Sequence, residues 1–166
     1  TSLAIHGLCG LAASSVFAQP PEFDGKIVQR FDADNAYQAV AVGSDAFYAI
    51  SNVRLTRHDK NTGRVLQQWD DSSQLSSPLS HLDSGVVLDG KLYSAHSNYP
   101  DWPMTSSVEV WDMDNLQHIE SHSFGVMLGS FTWLDRYNGS WWGAFANYDI
   151  VQREMTQPYG ETRNTV

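Results

Sequence analysis

Cysteine is almost absent from this sequence, and basic residues are few. The single cysteine, Cys9, lies in an apolar N-terminal stretch that we expect to be removed, which would leave a chain with no thiol. Disulfides and thiolate metal sites are therefore not expected. Only 10 Lys and Arg residues stand against 19 Asp and Glu residues, so the formal net charge is −9. This charge argues against nucleic acid and anionic membrane surfaces as partners.

Helical patterning is also missing from the sequence. No stretch spaces its apolar residues as a helix would over three turns. Short runs of alternating apolar and polar residues follow one another instead, separated by Asn, Asp, Gly and Ser, and this pattern predicts an all-β fold. No phosphate loop, dinucleotide fingerprint or zinc-protease motif occurs, so nucleotide chemistry and that type of proteolysis are not expected.

Residues 1–18 are typical of an export signal. They are apolar or small, and they end in Val16-Phe17-Ala18, which fits a signal peptidase, before Gln19 and two prolines. The prolines disfavour the alternative, a short buried helix. Because the basic segment and the initiator Met of such signals are absent, we expect the sequence to begin inside the signal.

The export signal predicts a secreted protein, or a periplasmic one in a Gram-negative host. The stretch is too short to span a membrane. Leu8 precedes Cys9 where a lipoprotein signal needs a small residue, so membrane anchoring is not expected. Residues 19–30 are assigned to a linker and a first strand, and residues 31–166 to a partial domain that continues beyond the C-terminus.

Two composite patterns repeat along the chain. Residues 89–99 and 137–148 both show a turn, two bulky residues, small residues and Asn-Tyr, and residues 45–52 form a looser copy. Between the copies lie two similar hairpin units, residues 55–66 and 108–119, each with an Asp-led turn. The spacing of about 45 to 50 residues fits one four-stranded antiparallel propeller blade per repeat. The prediction is a β-propeller of which about three blades are present.

The strings DGKLYSAHSNYP, VEVWDMDNL and HDKNTGRVLQQW resemble the blades of quinoprotein-like and TolB-like propellers, a superfamily that includes glutaminyl cyclotransferases and muconate-cyclising enzymes. The longer strings SHLDSGVVLDGKLYSAHSNYP and WLDRYNGSWWGAFANYD are similar to a group of secreted fungal and bacterial proteins. The resemblance implies a propeller fold. The resemblance does not identify catalytic residues. It also does not decide between enzyme and binding module, because propellers host both.

The first candidate site lies where one copy of the strand motif runs into a loop with two prolines. Loops that leave the inner strands of a propeller crowd around one mouth of its channel. His96 could act there as an acid or base near neutral pH, oriented by Asp101 or Asp149. In the alternative, the asparagines close turns and the tyrosines pack between blades. The residues assigned to ligand binding are Asn98, Tyr99, Asp101, Trp102, Asn147 and Tyr148.

A second candidate is the segment Ser80-His81-Leu82-Asp83-Ser84-Gly85. Its Ser, His and Asp are neighbours in sequence, whereas catalytic triads are assembled from distant segments, so hydrolysis by this segment is not predicted. His81 is nevertheless a second catalytic candidate, as a residue that lines the channel mouth. The alternative is a loop whose polar side chains satisfy backbone groups.

Other polar and aromatic groups are open to two interpretations each. Strand alternation would place His118, Glu120 and His122 on one face, where zinc could bind, although outer strands usually turn such residues to water. Trp141 and Trp142 could form part of a ligand platform, but neighbours on a strand face opposite ways, and packing between blades is favoured. Asn138-Gly139-Ser140 is both a glycosylation acceptor at Asn138 and a hairpin turn. No metal or cofactor is assigned.

The function that these features predict is binding of a small organic or carbohydrate ligand at the channel mouth, with cyclase, lyase or lactonase activity as the catalytic version. The alternative is a scaffold or cell-surface interaction module without catalysis. A propeller fold is compatible with both functions.

Export is expected to remove residues 1–18 and to expose Gln19, because the small residues before that point fit signal peptidase. The intact mass of the secreted protein measures the cleavage position directly. A secreted product that still contains Cys9 would contradict the assignment.

Overall fold

The protein is described here by a computed structural model. The structure describes residues 23–72, 77–101, 103–126, 128–147 and 163–165. The chain divides into two compact units between Arg30 and Phe31. In the first unit, the described residues 23–30 contain no strand, and residues 19–22 of the predicted linker and first strand lie outside the described residues.

The second unit is all-β, as the alternating pattern predicted. Its described residues contain eleven strands and no helix, and no helix long and apolar enough to cross a membrane occurs in the described part of the chain. The strands are Ala39–Val42 (β1), Ala46–Ser51 (β2), Arg54–Asp59 (β3), Val65–Asp70 (β4), Leu82–Leu88 (β5), Lys91–Ser97 (β6), Ser106–Asp112 (β7), His118–Gly125 (β8), Ser130–Tyr137 (β9), Ser140–Asn147 (β10) and Arg163–Thr165 (β11).

The strands form three antiparallel sheets in which neighbours in sequence pair with each other. The first sheet has the order β1-β2-β3-β4, the second β5-β6-β7-β8, and the third β11-β10-β9. The three copies of the strand motif fall on β2, β6 and β10, which are the second strands of the three sheets. The two hairpin units fall on β3–β4 and β7–β8. The predicted repeat of antiparallel four-stranded sheets is therefore confirmed for the first two sheets.

Turn residues explain why the strands reverse where they do. Asp89-Gly90 and Asn138-Gly139 have positive φ angles at all four residues, which a two-residue hairpin turn requires and which Gly, Asn and Asp tolerate best. Asn138 is therefore in the exposed hairpin turn that its sequence predicted. In the longer β3–β4 turn, Asp59 Oδ1 accepts hydrogen bonds from the backbone N–H groups of Asn61 and Thr62.

Two apolar layers join the sheets. The layer between the first and second sheets contains Tyr48, Ile50, Leu55, Leu92 and Trp111, all of them 1% exposed or less. The layer between the second and third sheets is smaller. Its members are Ala95, Phe131 and Leu134, with Val86, Tyr93, Val108 and Phe145 packed against them.

Removing the Trp111 indole should strongly destabilise the protein. The Trp111→Ala substitution is expected to lower the free energy of unfolding by about 3–5 kcal/mol, because it leaves a cavity between two sheets. Trp133→Ala is the matched control, since Trp133 is 42% exposed, and its cost should be much smaller. Urea unfolding measures both values. Equal losses in the two variants would contradict the assignment of Trp111 to the core.

Candidate functional site

Loops from all three sheets meet at one end of the second unit. The backbone N–H of Leu82, at the start of β5, donates to the carbonyl oxygen of Asn52 in the β2–β3 turn at 2.8 Å. At the same end, where β6 ends and β9 begins, the hydroxyl groups of Ser97 and Ser130 are hydrogen-bonded at 2.8 Å. We refer to this region as the loop end of the sheets.

The loop after β6 is held by Asn98. Its side-chain N–H donates to the Pro103 carbonyl at 2.9 Å, and its Oδ1 accepts from the Thr105 backbone N–H at 2.6 Å. The Asn98 amide thus has the turn-closing role that the sequence left open as an alternative. Asp101 is exposed in the same loop, and its backbone N–H donates to the Asn98 carbonyl.

Of the predicted ligand-binding residues Trp102, Asn147 and Tyr148, only Asn147 lies within the described residues, and only its backbone is described. Trp102 and Tyr148 lie outside the described residues, as does Asp149. The backbone of Asn147 is described, and it pairs with Arg163 at the end of β10. This position is equivalent to the end of β6, so the backbone of Asn147 lies at the loop end of the sheets.

His96 lies in the interior, with its side chain 6% exposed. Its Nε2 accepts a hydrogen bond from the Ser80 backbone N–H at 3.2 Å, so the ring proton is on Nδ1. Nδ1 then donates to Ser107 Oγ at 2.9 Å. Burial lowers the pKa of His96 and outweighs the opposing attraction of Glu109. Both ring nitrogens are satisfied, which is the arrangement expected of a core histidine.

A buried polar network extends from His96 to the outer strand of the second sheet. Ser107 Oγ donates to Glu109 Oε1 at 2.5 Å, and Glu109 Oε2 accepts from His118 Nε2 at 2.7 Å and from Ser121 Oγ at 2.5 Å. The Glu109 carboxyl group, 3% exposed, therefore has three donors. Each side chain in the network satisfies a neighbour that burial would otherwise leave unpaired.

The zinc interpretation of His118, Glu120 and His122 is wrong about their common face. Trp111 pairs with His118, whereas Val110 pairs with Glu120, so an extra residue interrupts the alternation of β8. This bulge turns His118 towards Glu109 and leaves Glu120 and His122 together on the other face. There His122 Nε2 lies 3.2 Å from Glu120 Oε1. No group of three metal-ligating side chains occurs within the described ranges.

His81 and Asp83 form a second polar pair at the loop end. The distance from His81 Nε2 to Asp83 Oδ2 is 3.6 Å, and the two side chains are 15% and 12% exposed. The Tyr99 ring lies against the His81 ring, with 5.2 Å between centroids. Asp83 lies where the register of β5 shifts, between Leu82 and Gly85, and such bulges re-aim side chains.

The electrostatics of this pair are dominated by burial. Burial raises the pKa of Asp83 to about 7 and lowers the pKa of His81. Asp83 Oδ2 accepts no hydrogen bond from the residues that the structure describes. Near neutral pH, the Asp83 carboxyl group can therefore give up or take a proton. The sequence named His81 as a candidate but gave Asp83 only a backbone-satisfying role, and the raised pKa depends on burial that sequence alone does not show.

An aromatic cleft of about 610 Å³ lies between the second and third sheets, away from the predicted site. Trp141 packs on Tyr93 at 4.9 Å between ring centroids. Trp142 also borders the cleft, although the two tryptophans are neighbours on a strand, along which side chains alternate. The cleft is therefore lined by side chains from both faces of β10. Its lining residues are Tyr93, Val108, His122, Phe124, Phe131, Leu134, Trp141, Trp142, Gly143 and Phe145.

Comparisons with known proteins do not assign this chain to a family. No protein-family model and no curated protein matches it. Among solved structures, it is similar to the crystal structure of the computationally designed Ika4 protein, with 12% identity over 85% of this chain and 98% of that one. The TM-score of 0.38 is too low for the likeness to support a conclusion about fold or function.

Asp83 should make stability depend on pH. An unfolded Asp has a pKa of about 3.9. Because the folded-state pKa is higher, the stability that this group contributes is complete below about pH 4 and is lost as the pH rises to about 7. Asp83→Asn should therefore raise the free energy of unfolding at pH 8, by up to about 4 kcal/mol, and by less at pH 5.

Urea unfolding of the Asp83→Asn variant at the two pH values checks this prediction. The matched control is Asp101→Asn, because Asp101 is exposed and its substitution should change neither value. An Asp83→Asn variant that follows the unsubstituted protein at both pH values would show that burial does not perturb this carboxyl group.

Proposed function

We propose that the protein is an exported protein of the β-propeller type that binds a small organic or carbohydrate ligand at the loop end of its sheets. Three observations support a propeller: the repeated antiparallel sheets, the apolar layers between successive sheets, and the loops that meet at one end. In a propeller, such loops surround the channel mouth, which is the usual ligand site.

The His81–Asp83 pair is the single observation that carries the site assignment. Asp83 has a buried oxygen without a described donor, and His81 lies 3.6 Å from it. A buried polar atom without a partner costs free energy, so it is worth explaining by function. Strongly perturbed pKa values are concentrated at binding and catalytic sites. Tyr99 adds an aromatic ring beside His81, against which the flat face of a ligand can pack.

The catalytic version of this proposal assigns proton transfer to His81 and Asp83. Cyclases, lyases and lactonases all need a group that accepts or donates a proton near neutral pH. Asp83, with a pKa of about 7, is matched to that task, and His81 Nε2 lies 3.6 Å from its Oδ2, slightly beyond hydrogen-bond distance. In this proposal His96 is a structural residue of the core, because both of its ring nitrogens are already bonded.

The alternative is a scaffold or interaction module without catalysis. One observation favours it: the Asn98 amide, a predicted ligand-binding group, is occupied in holding its own loop. In that case the His81–Asp83 pair has only a structural role. The two functions differ in whether a small ligand binds at this end of the protein.

A calorimetric screen of the full chain against mono- and disaccharides, lactones and small hydroxy acids tests the proposal. A ligand of the proposed site should bind at least about tenfold more weakly to His81→Gln and Asp83→Asn, which corresponds to ~1.4 kcal/mol. The matched control is His122→Gln, because His122 is half-exposed on the outer strand of the second sheet. The affinity of this variant for the ligand should be unchanged.

The His96→Gln variant tests whether His96 belongs to the ligand site or to the structural core. It should lower the free energy of unfolding by about 1–3 kcal/mol by leaving buried partners unpaired, with unchanged ligand affinity in the folded protein. Lost affinity with full stability in this variant would move the site to His96. A screen without any bound compound would favour the scaffold.

A further inference from the structure

The bulge in β5 inserts one extra residue into that strand. Leu82 and Gly85 are three residues apart on β5, but their partners on β6 are only two residues apart. Asp83 and Ser84 therefore lie together opposite a single residue of β6. A bulge of this kind leaves the extra residue without a place in the ladder of backbone hydrogen bonds. The direction of the Asp83 side chain is therefore set by whatever holds the bulge.

Core packing requires this bulge. Leu82 and Val87 both pack in the layer shared with the first sheet, whereas Val86 packs in the layer shared with the third. An odd number of positions separates Leu82 from Val87, so regular alternation would place them on opposite faces of β5. The extra residue returns both to the same face. The bulge is therefore part of the framework of the second sheet.

Ser84 is held by hydrogen bonds from two directions. Its carbonyl oxygen accepts from Ser94 Oγ of the neighbouring strand β6 at 2.8 Å. Its Oγ accepts from the backbone N–H of Leu134, in β9 of the third sheet, at 2.9 Å. Ser94 is fully buried and Leu134 is 4% exposed, so little water competes for either hydrogen bond. The bulge is thus fixed once within its own sheet and once to the next sheet.

We propose that Ser84 is the positioning residue of the His81–Asp83 pair. By accepting the Leu134 N–H, its hydroxyl group holds the bulge in the conformation that buries the Asp83 carboxyl group beside His81. The inference rests on the function proposed above, because Ser84 acts through Asp83 and need not touch a ligand. The titratable group that faces Asp83 is His81, at 3.6 Å. Without the hydrogen bond to Leu134, the bulge loses its link to the third sheet and the carboxyl group can turn towards water.

The proton affinity of Asp83 tests the proposal without any ligand, because it reports the surroundings of the carboxyl group. Its titration midpoint is followed by ¹³C NMR of the full chain labelled in the aspartate carboxyl groups, with the Asp83 signal identified by its absence from Asp83→Asn. In Ser84→Ala the midpoint should fall by at least about one pH unit, a tenfold weaker proton affinity, because the carboxylate gains hydration. Ser84→Thr keeps the hydroxyl group and should preserve the original midpoint.

A matched control separates positioning from a general loss of stability. Thr132 also lies in β9, and its Oγ1 donates to the Ala144 carbonyl at 3.2 Å. Thr132→Val removes that hydrogen bond but should leave the Asp83 midpoint unchanged. Urea unfolding gives a second readout, because a lower pKa of Asp83 reduces the stability that is lost between pH 5 and pH 8. That loss should shrink in Ser84→Ala and persist in Thr132→Val, even if both variants are less stable.

An unchanged Asp83 midpoint in Ser84→Ala would overturn the proposal. If Ser84→Ala does not fold, Ser94→Ala decides in its place, since it removes the other hydrogen bond of the bulge and should lower the midpoint in the same way. Failure of the proposed function has a different signature. A lowered midpoint in a protein that binds none of the screened compounds would keep Ser84 as the residue that places Asp83, but would contradict ligand binding at this end.

Discussion

The second sheet has two apolar faces because side chains alternate along its strands, and the other two sheets pack on them. Leu92 and Trp111 face the first sheet, whereas Tyr93, Ala95 and Val108 face the third. Close approach of the sheets depends on glycine: a Cβ at Gly85 would lie 2.6 Å from Ile50 Cδ1. A similar constraint operates within the third sheet, where a Cβ at Gly143 of β10 would lie 2.5 Å from the Phe131 ring on the neighbouring strand β9.

The elements that the sequence predicted correctly are those with a local physical signal. Asp89-Gly90 and Asn138-Gly139 mark hairpin turns because few other residues accept their backbone angles. The alternation of apolar and polar residues then predicts a strand on either side of each turn. The repeat of the composite motif predicts that β2, β6 and β10 are equivalent strands. The bulges at β5 and β8 have no such signal, since one extra residue can be inserted at many points of an alternating run.

Those bulges decide which polar groups meet, so the candidate site was harder to predict than the fold. The repeat directed attention to His96 because an ionisable residue stands where the other copy has Phe145. The partners that satisfy His96 come from the segment before β5 and from β7, and no local pattern connects them. Asp83 was missed as a member of the proposed site for a related reason, because its carboxyl group is perturbed by burial at a bulge.

The two buried carboxyl groups of the second sheet show how the site can be told from the framework. Glu109 receives hydrogen bonds from Ser107, His118 and Ser121, so its burial is compensated within the fold. Asp83 is also buried, yet one of its oxygens accepts nothing from the described residues. A proton, or a donor group from a ligand, would relieve that cost at Asp83 but has nothing to relieve at Glu109. The free energy available for binding or proton transfer is therefore greater at the loop end, beside His81, than in the His96 network.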